Sequence, residues 1–121
     1  MATILVVEDD EANQELVTRF LKREGYRVLL ANDGLAGVKT ALATIPDLIL
    51  MDLGLPALDG WEAARRIRSR PETAHIPIIA LTAHTLSEDV YKARDAGCDA
   101  FEIKPVAYQR LMKKIAMLVE H

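Results

Sequence analysis

The chain has 121 residues, room for one domain, which at this size hides roughly two-thirds of the surface its unfolded form exposes. Half the residues are hydrophobic and 27% are charged, which excludes wholesale disorder. With 15 basic against 18 acidic side chains, a net charge of −3, there is no uniform positive field to hold a phosphate backbone, and direct nucleic-acid binding is not expected.

The longest apolar run, residues 115–119, is far too short to cross a bilayer. No Lys or Arg precedes Arg19, so the basic start of a secretory signal is missing too. No membrane partner is expected, and the chain reads as cytoplasmic. Cys98, the single cysteine, allows no internal disulfide and reads as a small core residue.

Short β-branched and aliphatic segments at 4–7, 28–31, 48–51, 76–81 and 100–103 have strand length. Between them lie helix-spaced apolar residues. These are Ala12, Leu16, Val17, Phe20 and Leu21, then Leu35, Val38 and Leu42, then Trp61, Ala64 and Ile67, then Val90 and Ala93. The clearest amphipathic pattern comes last, with Tyr108, Leu111, Met112, Ile115, Leu118 and Val119. Asp10, Asp33, Asp59 and Ser87 stand where helix N-caps belong, and Gly25 and Gly97 where helices end. Continuous apolar first and third strands suit a parallel sheet covered on both faces. The expected fold is therefore α/β: a flavodoxin-like (βα)5 doubly wound, parallel five-stranded sheet, order 2-1-3-4-5.

In such a sheet the ligand site lies beyond the carboxyl ends of the strands. There the first strand runs into Glu8, Asp9, Asp10 and Glu11; the third ends at Asp52, the fourth at Thr82, and the fifth runs into Lys104 and Pro105. Converging carboxylates repel unless a hard divalent cation sits among them, and magnesium suits oxygen ligands shared with a phosphate. Asp52 is the best nucleophile, since a carboxylate can attack phosphorus without a general base. Lys104 would neutralise the transferring group, and the Thr82 hydroxyl could hold another of its oxygens. No GxxxxGK[ST] or GxGxxG motif follows any strand, so the phosphoryl group must come from another molecule.

These residues closely resemble the receiver domain of bacterial two-component response regulators. The resemblance rests on Val6 through Asp10, Leu48 through Asp52, Leu55-Pro56, Asp59-Gly60, Leu81-Thr82-Ala83 and Lys104-Pro105, and it takes in residues 1–121 as one receiver domain. It implies that Asp52 accepts a phosphoryl group from a sensor histidine kinase or histidine phosphotransfer protein, as a signalling acceptor and not an enzyme. It further implies that Asp9 binds Mg2+ directly, that Glu8 does so mainly through water, and that the Gly54 carbonyl supplies another ligand. Thr82 and Lys104 would bind the phosphoryl oxygens. On phosphorylation Thr82 would move and Phe101 turn inward, altering contacts with a downstream effector protein through the face of the fourth helix, fifth strand and fifth helix. Lys104-Pro105 would be a cis peptide. Gly54 and His84 occupy positions that tune dephosphorylation in such domains.

Taken singly, each strand-end residue fits a bland role: a solvated acidic loop, a turn aspartate, a strand threonine, a surface lysine. Their joint occurrence at four strand ends favours the site. A flavodoxin-like electron carrier would need a hydroxyl- and glycine-rich phosphate loop where this chain has acids. An aspartyl phosphatase would carry Asp-x-Asp, but Leu53 and Gly54 follow Asp52. A degenerate receiver acting as a constitutive interaction module is the remaining alternative. Trp61 and Met112 read as packing residues, while Tyr91, Tyr108 and Phe101 could form either packing or a partner patch.

Overall fold

The computed structural model describes residues 1–55, 59–82 and 94–119. Five strands form one parallel sheet: β1 (Thr3–Val7), β2 (Arg27–Ala31), β3 (Leu48–Asp52), β4 (Ile78–Thr82) and β5 (Ala100–Ile103), in the order β2-β1-β3-β4-β5. Among the described residues four helices join or follow them: α1 (Glu11–Arg23), α2 (Gly34–Thr44), α3 (Gly60–Arg68) and α4 (Tyr108–Val119). None is long and apolar enough to cross a membrane. Ser87, Val90, Tyr91 and Ala93, with the helix expected there, lie outside the described residues.

The period-2 alternation of side chains explains why the central strands are apolar throughout. Ile4, Val6, Leu48, Leu50, Ile79 and Leu81 belong to one buried cluster, together with Val17 and Leu21 of α1 and Leu111 and Ile115 of α4. The alternate residues Leu5, Val7, Ile49, Met51, Ile78 and Ala80 pack on the other face with α2 and α3. Each such aliphatic side chain contributes about 1.5–3 kcal/mol when fully buried. A polar residue inside β1 or β3 would therefore damage a core whichever way it pointed.

Helix starts follow their capping chemistry. The side chains of Asp10, Asp33 and Asp59 accept from the amides of Asn13, Ala36 and Glu62, respectively. Gly25 and Gly97 adopt left-handed φ values of 88° and 92°. Arg68 ties the Gly97 turn to α3, donating to the carbonyls of Gly97 at 2.7 Å and Ala74 at 2.9 Å while pairing with Asp99. Buried Glu102 on β5 is held by Arg110 at 2.8 Å and Lys114 at 3.0 Å from α4. Despite its burial, these cations hold the Glu102 carboxyl below the ordinary range.

Three local expectations shift. β4 begins at Ile78 instead of Ile76, because the Ile76 amide is spent in a turn on Thr73 and Pro77 has no N–H to give. On α1, Ala12 and Leu16 are exposed and the buried face is Gln14, Val17 and Leu21. On α2, Leu35 is exposed and the small residues Gly34, Gly37 and Ala41 face inward. A Cβ on Gly37 would stand 2.8 Å from Val7 Cγ2, so the absence of a side chain lets α2 lie close on β1.

Ile45 caps α2 in the left-handed region, with φ 47° and ψ 66°. A β-branched side chain is strained there by about 1–2 kcal/mol, and Ile45 is 41% exposed. Ile45→Asn is expected to raise the unfolding free energy by about 0.5–1 kcal/mol, read from urea denaturation. Unchanged or lower stability would show that the side chain contributes more by contact than it costs in strain.

Candidate functional site: an acidic cluster at the carboxyl edge of the sheet

The chain leaves β1 toward β2 on one side, then crosses to β3 on the other, so the strand order reverses between β1 and β3. Glu8 and Asp9 follow β1 and Asp52 ends β3, which brings them to this switch point. Glu8, Asp9 and Asp52 can each offer a carboxylate oxygen, with the three oxygens within 4.8 Å of one another. Glu8 and Asp52 are buried and Asp9 is exposed.

Both Asp52 oxygens are held. Oδ1 accepts from the Gly54 amide at 3.0 Å, and Oδ2 accepts from Lys104 Nζ at 3.0 Å. Burial opposes ionisation of Asp52, but bonds from Glu8, the Gly54 amide and Lys104 keep its carboxyl below the ordinary value. Lys104 Nζ also lies 3.8 Å from Glu8 Oε1. Its ammonium is partly desolvated, yet Asp52, Glu8 and Asp9 together raise its pKa above the usual lysine range. Glu8 behaves in the opposite way. Burial, then the Asp52 carboxylate beside it, pushes its pKa up to about 8, against the pull of Asn13 and Lys104.

Glu8 Oε2 is buried with no hydrogen-bond partner among the described residues. An orphaned carboxylate oxygen beside two further carboxylates is the donor set that a small, hard divalent cation satisfies. When all three are ionised one lysine cannot neutralise them, so a cation there would relieve the repulsion that otherwise helps keep Glu8 protonated.

Thr82 is buried at the end of β4, and its carbonyl accepts from the Lys104 amide at 2.7 Å. Lys104 is followed by Pro105 through a cis peptide. Gly54 is exposed, and a Cβ there would stand an ordinary 3.7 Å from Asp52 Oδ1. Phe101 is half-buried against the α2/α3-side core, with the Lys114 ammonium 5.8 Å from its ring centre. Tyr108 stacks on Phe20 at 4.3 Å and Trp61 packs against the α2/α3-side core, so Trp61, Phe101 and Tyr108 all have packing roles. Desolvation pushes the Cys98 thiol up to about 11, which disfavours its thiolate form. His84 lies outside the described residues. A crevice of about 460 Å³ between α1 and α4 opens beside Glu8 and Lys104, with Leu16, Val17, Val106 and Leu111 as its apolar wall.

Two features of the site escape a reading of strand ends. Gly60 lets the start of α3 sit on the backbone of Asp52 and Leu53, where a Cβ would come within 2.4 Å of the Asp52 carbonyl oxygen. Gln14 of α1 reaches the Glu8 carbonyl. Gln14 does leave a sequence signal, since it shares a helix face with Val17 and Leu21 and a polar residue on a buried face needs partners.

The family described as the response regulator receiver domain matches residues 4–116. The polar-differentiation response regulator DivK of Brucella anthropi is 34% identical over 113 residues, 93% of this chain and 92% of its own. Among solved structures, the receiver domain of the sensor histidine kinase PA1611 from Pseudomonas aeruginosa, which has a magnesium ion coordinated in its active site cleft, is 38% identical. It superposes with a TM-score of 0.92 over 99% of this chain and 98% of that one. The Vibrio cholerae chemotaxis protein CheY4 is 27% identical, with a TM-score of 0.92 over 98% of both chains. Sheet order, strand-end chemistry and near-complete coverage agree, and this chain belongs to the response regulator receiver domains of two-component signalling.

Proposed function

We propose that this receiver is a phosphorylation-dependent switch in which Asp52 accepts a phosphoryl group from a phosphohistidine on a sensor kinase or phosphotransfer protein. The observation that carries this reading is Asp52 bonded to Lys104 at 3.0 Å within an acidic cluster that holds a buried oxygen with no partner among the described residues. An Asp52 oxygen bonds to phosphorus as the P–N bond breaks, and the electron pair of that bond returns to the imidazole nitrogen. Lys104 balances charge on the transferring group, and Thr82 supplies a hydroxyl to it. Glu8, Asp9, Asp52 and the Gly54 carbonyl would hold Mg2+, which when bound contributes positive charge against the phosphoryl oxygens. The donor meets α1 and the loops around the site, where the crevice beside Lys104 leaves room for approach. One phosphoryl group per chain is accepted, so the domain signals and does not turn over an external substrate. The acyl phosphate recruits Thr82 and shifts Phe101 between two packings, which changes binding of an effector protein.

Intact-mass measurement after incubation with a small acyl phosphate tests this. A single labile phosphoryl adduct is expected with magnesium, and none with chelator or in Asp52→Asn. No adduct under any condition would favour a degenerate receiver that binds its partner constitutively.

Gly54 is exposed beside Asp52 Oδ1, and an added Cβ meets that oxygen at an ordinary 3.7 Å. Gly54→Leu is therefore expected to slow hydrolysis of the adduct several-fold by excluding water, and Gly54→Asn to change its rate. Equal lifetimes in all three proteins would show that water reaches the phosphoryl group from another side.

A further inference from the structure

Resting on the cation-binding reading above, we propose that Gln14 is a positioning residue for the acidic cluster: its side-chain amide fixes the Glu8–Asp9 segment and so sets divalent-cation affinity. Gln14 Nε2 lies 2.5 Å from the Glu8 carbonyl oxygen and 2.8 Å from Asn32 Oδ1, so each of its two hydrogens has an acceptor. A main-chain carbonyl can only accept, which settles which end of the amide faces Glu8. The Glu8 amide in turn donates to the Ala31 carbonyl at 3.0 Å. Glu8 is thus fastened at both its N–H and its C=O to the end of β2, directly by Ala31 and through Gln14 by Asn32.

That carbonyl belongs to the Glu8–Asp9 peptide, which turns as one planar unit, so a bond to its oxygen restricts where the Asp9 end of the plane can lie. Asp9 is exposed, and its placement near Glu8 and Asp52 depends on the peptide that Gln14 holds. Gln14 is only 8% exposed, so water has little room to replace its donors. Its neighbour Asn13 favours the ionised Glu8 carboxyl, while Gln14 acts on the main chain. Groups that orient ligands from outside the ligand set shift metal affinity by about 10–100-fold when removed.

The test uses the full chain as wild type, Gln14→Met and Val17→Ala. Methionine keeps the length of glutamine without its donors. Val17 is buried on the same helix face and packs in the core; it has no donor to offer the Glu8 main chain, so its truncation loosens α1 and leaves the Gln14–Glu8 bond in place. Free Mn2+ is followed by electron paramagnetic resonance, and adduct formation is followed against magnesium concentration. Gln14→Met should raise the half-saturating cation concentration about tenfold, with the rate at saturating magnesium within about twofold of wild type. Val17→Ala should lower the melting temperature and leave cation affinity unchanged. Unchanged affinity in Gln14→Met, or an equal loss in Val17→Ala, overturns the role of Gln14 while the cation site stands. Failure of the wild-type chain to bind Mn2+ or magnesium overturns both readings.

Discussion

Gly60→Ala is expected to destabilise the domain by about 3 kcal/mol, the upper end of the usual cost of overpacking. Helix propensity alone predicts the opposite sign, since alanine is better than glycine in a helix by about 0.8–1 kcal/mol. The steric effect wins because the added Cβ would stand 2.4 Å from the Asp52 carbonyl oxygen and 2.7 Å from Leu53 Cα, both main-chain atoms. Neither can yield cheaply. Asp52 is paired in register with Leu81 of β4, and the Leu53 amide donates to the Leu81 carbonyl. The start of α3 would have to lift off, weakening the burial of Ala63, Ala64 and Ile67 behind it. Gly54→Ala is the control, because its Cβ meets Asp52 Oδ1 at a comfortable 3.7 Å. Chemical denaturation in chelator should show a large drop for the first variant and little change for the second. Phosphoryl uptake by Gly60→Ala should fall as well, because the helix start that lifts off packs directly on the Asp52 main chain. A neutral or stabilising Gly60→Ala would mean that α3 does not approach β3 this closely.

The contrast between these two glycines shows what a linear reading can reach. Strand identity was legible because β1, β3 and β4 are buried on both faces, and such burial leaves uninterrupted aliphatic runs. Helix starts were legible from Asp10, Asp33 and Asp59, whose capping is a local interaction over three residues. The gathering of Glu8, Asp9, Asp52 and Lys104 at one edge follows from a topological rule applied to strand ends, and it needs no side-chain detail. What stayed hidden depends on which long-range surfaces meet. Gly60 looks like a permissive helix start until the Asp52 backbone is seen against it. Leu16 and Leu35 satisfy helical spacing, yet α1 buries the Gln14 face and α2 buries its glycines. In both helices packing against the sheet, and not the size of the apolar side chains, chose the buried face. Asp52 and Lys104 titrate as the cluster dictates, and no spacing in the sequence encodes the opposite displacements of Glu8 and Asp52.

Those displacements predict an unusual pH dependence. Without divalent cations, the folded chain should lose stability as pH rises from about 5 to about 8.5, by up to a few kcal/mol. Unfolded Glu8 releases its proton near its ordinary value of 4.5, whereas folded Glu8, desolvated and beside the Asp52 carboxylate, keeps it until about 8. Between those values the native state binds more protons than the unfolded state, so unfolding becomes easier with each step in pH, by at most about 1.4 kcal/mol per unit. Asp52 has the opposite sign, since its folded carboxyl titrates below 3.8, and its contribution is lost only as pH falls beneath that value. Cys98, raised from 9.0 to about 11, destabilises the fold only above the window. Glu8 therefore dominates the gradient, and Glu8→Gln, a permanently neutral counterpart of the protonated acid, should flatten it. Magnesium should act in the reverse sense, because it competes with the proton for the same oxygens and binds more tightly as pH rises. Urea denaturation at pH 5.5 and 8.5, in chelator and in magnesium, measures all three effects. An equal slope in wild type and Glu8→Gln would remove Glu8 as its source, whereas a slope that vanishes in the variant and reverses with magnesium would tie the orphaned carboxyl to the cation.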